Sequence, residues 1–170
     1  MDTVVGVVAS LFGVLVGASL ARRVADSQRR LNFTFDLHRE YNSSDMIRAR
    51  HEAAELLKNH PGLDYGELRE QVGYSGAADL DQVIYFFQRL QISIEYGAVQ
   101  GKYISRLFGD SFSWWYEQTF RAMLVPTATE MGADIDALQR WMVNHSTEGQ
   151  RQSWRGANVD AWRRRDSGTS

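Results

Sequence analysis

The longest apolar stretch of the chain runs from Val4 to Ala21 and contains no charged residue and no Asn, Gln or Pro. As a helix it would reach roughly 27 Å at about 1.5 Å per residue, close to the ~30 Å hydrocarbon core of a bilayer. The pattern therefore predicts a transmembrane anchor over residues 1–21.

Arginines follow this stretch directly and set the predicted orientation. They are Arg22, Arg23, Arg29 and Arg30. Because positive charge is enriched on the cytoplasmic side of a span, we expect the N-terminus outside, the rest of the chain in the cytoplasm, and these arginines at the membrane surface. A cleavable signal peptide is the alternative, since small residues at Ala18 and Ala21 fit a cleavage site. Such a peptide needs a basic segment before the apolar stretch, and residues 1–3 carry Asp2 instead.

One face of the predicted span consists of small residues at helical spacing. They are Gly6, Ser10, Gly13 and Gly17. Small residues let two helix backbones approach closely in lipid, where close packing drives association. This face indicates a homo-oligomer formed through the membrane, or else reflects only that glycine is common in membrane spans.

Beyond the span, apolar residues recur with helical periodicity, while prolines number two and β-branched runs are few. We predict an all-α fold in which the first helix continues to Tyr41 and joins a cytoplasmic multi-helix bundle over residues 22–146. The other predicted helices are 45–59, 65–72, 79–96, 102–108, 110–124 and one that begins at 132–134. The helix at 79–96 is apolar on most of its circumference, so it is expected at the centre of the bundle.

Capping and turn residues mark the predicted helix ends. A serine in segment 42–45 can cap the second helix, and Asp64 with Glu67 resembles a capping box. Glycines are expected to end or interrupt helices at four further places, namely Gly73, Gly76, Gly97 and Gly109.

The composition shifts after Ser146 toward Arg, Gln, Ser and Gly, which predicts a weakly ordered basic tail over residues 147–170. Its candidate membrane-surface residues are Trp154, Arg155, Trp162, Arg163, Arg164 and Arg165. Tryptophan favours the headgroup region and arginine is attracted to anionic lipid, so the tail is a candidate for membrane binding. A solvated, disordered tail is the alternative.

Charge and chemistry point away from several functional classes. The chain has 19 basic and 21 acidic residues, so no nucleic-acid partner is expected. It has no cysteine, and we find no P-loop, dinucleotide-binding or nucleophile-elbow motif. His51 with Glu52 and Glu55 offers one histidine where a helical zinc site needs two. We therefore predict no metal, cofactor or catalytic residue, and we do not expect an enzyme.

Arg50 and Glu95 carry opposite charges, and each lies at a position that leans toward the buried face of its predicted helix. We predict a buried ion pair between them that fixes the packing, with a functional acid of shifted pKa as the alternative. A membrane-bound enzyme would require both to converge with His38 in a cleft. The tyrosines and tryptophans at helical spacing are expected in the core, except Trp114, which is a candidate exposed contact.

The order of several short motifs carries a family resemblance. They are Tyr41-Asn42-Ser43, Met46, Ala49-Arg50, the segment 83–87, Gly97-Ala98-Val99, Phe108-Gly109 and Trp114-Trp115-Tyr116. Over residues 35–145 this order resembles the bacterial domain of unknown function 4760 family. The resemblance implies a bacterial or phage-encoded protein with a helical domain on an N-terminal anchor in the inner membrane. It implies no activity and no catalytic residues.

From these patterns we expect a single-pass membrane protein whose helical domain acts as a binding or scaffold module. Its expected partners are the lipid bilayer, a second copy of the chain and an unidentified protein. The alternatives are a membrane-perturbing effector or exclusion protein in bacterial or phage conflict, and a membrane-bound enzyme without a recognisable motif.

Overall fold

The computed structural model describes residues 2–127 and 129–155, with side chains from residue 17 onward, and these residues are helical without any strand. The elements are α1 (Asp2–Tyr41), α2 (Ser44–Asn59), α3 (Tyr65–Glu95), α4 (Gly101–Trp115), a π-helix (Tyr116–Phe120), α5 (Arg121–Met123), a 3-10 turn (Val125–Thr127), α6 (Glu130–Asn144) and α7 (residues 148–155). The predicted all-α class is confirmed.

Helix α1 is unbroken from Asp2 to Tyr41, which confirms that the first helix continues to Tyr41. Every residue from 17 to 30 is exposed, and we call this segment the stalk. The bundle covers α1 only further on, where Thr34, Leu37 and Tyr41 are buried. Within the described side chains, no helix combines the length and apolarity that crossing a membrane requires. Residues 4–16 of the predicted span lie outside that set.

Helix α3 lies at the centre of the bundle, where it packs against both α2 and α6. This confirms the predicted position of the apolar helix at 79–96. The core around it is rich in aromatic rings that contact one another edge to face or tilted, contributed by α1, α3, α4 and the π-helix. The rings are Tyr41, Phe86, Phe87, Phe108, Phe112 and Phe120. Such pairs add specific geometry to the burial of apolar area.

Three predicted caps are confirmed. The Ser43 hydroxyl accepts a hydrogen bond from the Met46 amide at the start of α2. Asp64 and Glu67 form a full capping box, in which each side chain accepts from the other residue's amide at 2.9 Å. Gly97 ends α3 with φ at 62°, the left-handed conformation that glycine adopts at little cost.

Gly73 bends α3 rather than ending it, because its φ of 73° and ψ of 172° interrupt the helical backbone at one residue. The bend is sharp: the Tyr65 hydroxyl lies 2.6 Å from Asp81 Oδ1, although a straight helix would separate residues 16 apart by about 24 Å. The short helix predicted at 65–72 is thus confirmed. The predicted turn up to Gly76 is wrong, since the helix resumes directly after Gly73.

Gly109 does not end a helix, so the two predicted helices at 102–108 and 110–124 are wrong. Helix α4 runs through Gly109, which is buried beneath the indole of Trp154. A methyl group at Gly109 would overlap that ring. The glycine therefore serves helix packing, and no backbone freedom is required there.

Residues 148–155 form a further helix, α7, which differs from the weak order predicted after Ser146. Thr147 caps it, since its hydroxyl accepts from the Gln150 amide at 3.2 Å while the Gln150 side chain accepts from the Thr147 amide at 2.8 Å. Trp154 on α7 belongs to the core and is 8% exposed. The bundle therefore extends to at least residue 155. Residues 156–170 lie outside the described part.

Candidate functional site

A groove of about 520 Å³ lies between the end of α2 with its following loop and the segment that continues α4. Its apolar lining includes Ala54, Leu57, Leu63, Trp114, Ala122 and Met123. Its polar lining includes Lys58, Asp64, Glu67, Glu117, Gln118 and Thr119. We call it the π-helix groove. Its volume and mixed lining are those of a site that binds a small molecule or a few side chains of a partner.

One wall of the groove is the π-helix at Tyr116–Phe120. The Trp115 and Phe120 rings stack with centroids 5.8 Å apart and planes at 17°. Residues five apart in an α-helix point about 140° away from each other, so this stacking depends on the wider π turn. The wider turn buries Tyr116, Thr119 and Phe120 together while Glu117 and Gln118 line the groove. Single π turns are rare and occur often at functional sites.

Tyr116 attaches the π-helix to α6. Its hydroxyl donates a hydrogen bond to Asp136 Oδ1 at 2.9 Å, and Asp136 also pairs with Arg140. Burial, followed by this hydrogen bond, raises the pKa of Tyr116 to about 12. Tyr116 is therefore neutral at physiological pH, and its hydroxyl keeps the proton that it donates to the Asp136 carboxylate.

The charge around the groove is mainly acidic. Asp64 and Glu67 are held in the capping box, and Glu117 lies 3.2 Å from Arg121. Lys58 and His60 are the basic residues of the lining, and Lys58 lies 3.5 Å from Glu55. Acidic groups beside an indole face suit a ligand with a cationic group on an apolar body.

Trp114, predicted as an exposed contact, is half-buried and forms part of the groove wall. Its ring meets that of Trp115 edge to face, with centroids 4.9 Å apart. The indole of Trp114 is thus held against Trp115 of the core, while the residue lines the groove. Trp114 is the sequence-predicted residue that belongs to this site.

A second, more open depression of about 650 Å³ lies on the outer side of α3. It includes Tyr74, which is 79% exposed, and Tyr85, which is 48% exposed. Asp81 lies at its base, 9% exposed, where it accepts the hydrogen bond from Tyr65 and lies 3.5 Å from Arg69. Burial, then the Asp81 carboxylate, raises the pKa of Tyr65 well above its ordinary value.

The sequence prediction missed Asp81 as a functional candidate. The signal was available: Asp81 is an acid next to Leu80 within the inward-facing positions of the most apolar helix. Its partners were not visible, because Tyr65 and Arg69 reach it only through the bend at Gly73. The arginine also lies over the Tyr74 ring, with its guanidinium carbon 4.2 Å from the centroid. Asp81 and its partners thus form a closed polar network, which indicates a structural role.

The predicted buried pair between Arg50 and Glu95 is not formed among the described residues. Glu95 is exposed near the end of α3. Arg50 instead lies over the Tyr41 ring, 4.2 Å from its centroid, with its Nε buried and without a hydrogen-bond partner. The Tyr41 ring face thus replaces the carboxylate as the partner of the guanidinium. The sequence showed that Arg50 leans inward but could not show that an aromatic ring lies there.

The residues proposed for a hidden enzyme cleft are not gathered in either of the two grooves. The His38 ring meets Phe108 at 5.8 Å between centroids, on the side of α1 that faces α4. Neither groove includes His38, Arg50 or Glu95. Within the described residues, no group of three or more His, Cys, Asp or Glu side chains is arranged to hold a metal ion.

The candidate membrane residues fall into three groups. Arg22, Arg23, Arg29, Arg30 and Arg155 are exposed, and Gly17 has open space around it. Trp154 is buried against Gly109, so its predicted place at the membrane surface is wrong: the indole is a core side chain. The remaining candidates lie outside the described side chains, namely Gly6, Ser10, Gly13, Trp162, Arg163, Arg164 and Arg165.

Comparison with known proteins gives no relative from which a role for these grooves can be taken. No family model, no curated protein and no solved structure matches this chain.

Proposed function

We propose that this chain is a single-pass membrane-anchored scaffold whose helical bundle acts by binding a partner near the membrane. The observation that carries the proposal is the stalk. Residues 17–30 continue the helix of the predicted span and are exposed throughout, so the bundle gives them no support. Isolated short helices are marginal in water, and helices in proteins gain most of their stability from packing an apolar face. A bare helix of this length therefore calls for an environment outside its own domain.

A bilayer supplies that environment for the first half of α1. The apolar segment Val4–Ala21 has the length and composition of a span, and the exposed Arg22 and Arg23 begin where the segment ends. Clustered arginines on this side favour a cytoplasmic location for the bundle. Residues 22–30, the part of the stalk beyond Ala21, would then hold the bundle roughly 14 Å from the membrane surface, at about 1.5 Å per residue.

The π-helix groove is the surface we assign to the partner. It combines an apolar base, the Trp114 wall and an acidic rim, and it lies on the part of the bundle formed by the end of α2 and the π-helix. Because Tyr116 and Phe120 anchor the π-helix in the core, the groove is formed before a partner arrives. A preformed surface loses less conformational freedom on binding, which suits a scaffold.

Membrane fractionation tests the anchor. We expect the full chain to stay with membranes after an alkaline carbonate wash. Replacing both Leu11 and Leu15 with arginine should move it to the soluble fraction, since each arginine inside a span costs about 2.5–3.5 kcal/mol. The control is the same pair of charges in the stalk, Ala25→Arg with Gln28→Arg, which should stay with membranes. Recovery of the unchanged chain in the soluble fraction would refute the anchor.

A labelling experiment tests the orientation. The chain has no cysteine and His51 is exposed on α2, so His51→Cys adds one accessible thiol to the bundle. A maleimide that cannot cross membranes should label it only after the inner membrane has been opened. Labelling of intact spheroplasts would place the bundle on the outer side and contradict the proposal.

The alternative function is a membrane-perturbing effector or exclusion protein, and the small-residue face of the predicted span favours it as the second candidate. A span that self-associates closely through Gly13 and Gly17 would provide a route to membrane disturbance. Controlled expression in the presence of a permeability dye separates the two functions. A scaffold leaves the dye outside, and dye entry that depends on these glycines would favour the effector.

A further inference from the structure

Helix α1 carries two rows of apolar residues on different sides. The first row includes Leu37 and Tyr41, which are buried against the bundle. The second, which we call the front row, is Leu20, Val24, Leu31 and Phe35. At 100° per residue the two rows point roughly 100° apart, so the bundle that covers the first row leaves the second uncovered.

The front row is open to solvent along the stalk. Leu20 is 55% exposed and Val24 is 69% exposed, while Leu31 is half-buried at the edge of the bundle. Phe35 is 42% exposed, although its ring also meets Tyr103 of α4 at 5.9 Å. A line of four apolar side chains that the bundle leaves partly or fully exposed is typical of a contact surface.

The front row continues the small-residue face of the predicted span. Because α1 is one unbroken helix, positions 6, 10, 13 and 17 fall in the same sector as the front row, all within roughly 80°. Gly17 marks the junction, and a Cβ placed there would have no atom within 4 Å. One face therefore runs from the span through the stalk to the bundle.

We propose that this continuous face binds a second copy of α1, packed parallel and in register, an inference that rests on the proposed membrane anchor. A partner must follow the face from inside the bilayer to the bundle, and a second α1 has the required length and helical spacing. The stalk surface is small, but tethering in one membrane confines two copies to a high effective concentration, so a weak contact suffices.

The charges beside the front row favour the parallel arrangement. Arg23 and Arg30 lie on one side of the row, whereas Ala21 and Gln28 lie on the other. In a parallel pair of helices, unlike sides face each other, so each arginine side meets the partner's uncharged side. In an antiparallel pair, arginines would face arginines and repel.

Disulfide scanning of the full chain in its own membranes tests the proposal, since the sequence contains no native cysteine. Leu20→Cys and Val24→Cys place a thiol on the front row. Ala18→Cys and Ala25→Cys are matched controls, located at the same height on the stalk but more than about 100° away from the row. All four positions are exposed, so the core stays unchanged.

After mild oxidation, non-reducing gels should show several-fold more covalent dimer for the two front-row variants than for the two controls. Equal yields at all four positions, or no dimer at any of them, would overturn the proposal. An antiparallel pair or a different partner protein would also give no front-row preference. Fractionation of the same samples distinguishes failure of the anchor from failure of the dimer contact. A chain found in the soluble fraction refutes the membrane anchor, whereas a membrane-bound chain without the front-row preference refutes only the contact between two α1 helices.

Discussion

Gly109 and Trp154 show how one missing Cβ atom determines a packing contact. The indole of Trp154 lies directly over the Gly109 backbone, where any Cβ would overlap three ring atoms. The close approach lets α7 pack on α4 and brings Trp154 into the core. A glycine inside an exposed helix normally costs about 1 kcal/mol of stability relative to alanine. At Gly109 this cost is offset by the packing of the indole that the glycine accommodates.

Gly109→Ala is therefore expected to destabilise the bundle, although alanine favours helices. Overpacking of this kind costs about 1–3 kcal/mol, which exceeds the gain in helix propensity. Gly149→Ala on α7 is the control, because a Cβ there meets open space, and it should stabilise by about 0.5–1 kcal/mol. Near-ultraviolet circular dichroism during urea unfolding in mild detergent measures both. A Gly109→Ala variant as stable as the unchanged chain would show that Trp154 moves aside without cost.

Tyr116 gives the bundle a defined response to alkaline pH. Its pKa is raised to about 12 by burial and by the Asp136 carboxylate, whereas tyrosine in an unfolded chain titrates near a pKa of about 10. Below pH 10 the phenol is protonated in both states, so its contribution to stability is fully present. Between pH 10 and 12 only the unfolded chain releases the proton, so stability falls.

Tyr116→Phe is expected to flatten this alkaline loss of stability. At pH 7 the variant should be about 1 kcal/mol less stable, since it lacks the hydrogen bond to Asp136. The free energy of unfolding in urea, measured at pH 8 and pH 11, should then fall less for the variant than for the unchanged chain. Tyr96→Phe is the control, because Tyr96 is 82% exposed. An unchanged slope for Tyr116→Phe would contradict the assignment.

Individual residues could be predicted from sequence where their partners are close along the chain. The capping box of Asp64 and Glu67 is local, since three residues separate the two, and it forms as predicted. The partners of Arg50 and Gly109 are brought near by tertiary folding, and both residues were assigned wrongly. The spacing of a charged or small residue shows which way it points, but the side chain it meets is determined elsewhere in the sequence.

At the scale of whole helices, Gly73 and Gly109 affect the helix that contains them in two different ways, which the sequence alone does not distinguish. Gly73 adopts a positive φ and folds the first part of α3 back toward Asp81. Gly109 keeps a helical backbone and makes room for Trp154. Both are single glycines in otherwise helical patterns, so the predicted interruption of the helix is correct at Gly73 and wrong at Gly109.

The π-helix was also beyond prediction. Apolar residues at positions 112, 115, 116, 120 and 123 fit an ordinary helix, and the pattern predicts a single helix through them. The wider turn allows Trp115 to stack on Phe120, and the bond from Tyr116 to α6 holds the turn in place. The walls of the groove depend on this turn, so of the candidate site only Trp114 could be predicted.

On the scale of the whole molecule, the described chain has two parts, a bundle that is stabilised by its own core and a stalk that is not packed against it. The bundle has its own core, which takes Leu37 and Tyr41 from the end of α1 and reaches Trp154 on α7. The stalk shares the same helix but contributes no buried residue. Pattern and composition predicted the helical bundle and the continuous first helix, because helical periodicity and an aromatic-rich helix at 79–96 are visible without knowledge of tertiary contacts.

This division predicts that the bundle folds without the first 29 residues. A chain that begins at Arg30 keeps every α1 residue of the core, so it should be soluble and melt cooperatively without detergent. A chain that begins at Asn42 lacks Leu37 and Tyr41, each worth about 2–5 kcal/mol of a typical total of 5–15, and it should lose its near-ultraviolet circular dichroism. Equal melting of the two chains would show that α1 is not part of the core. Failure of the longer chain to fold would show that the stalk supports the bundle, and the proposed separation of anchor and binding domain would then be wrong.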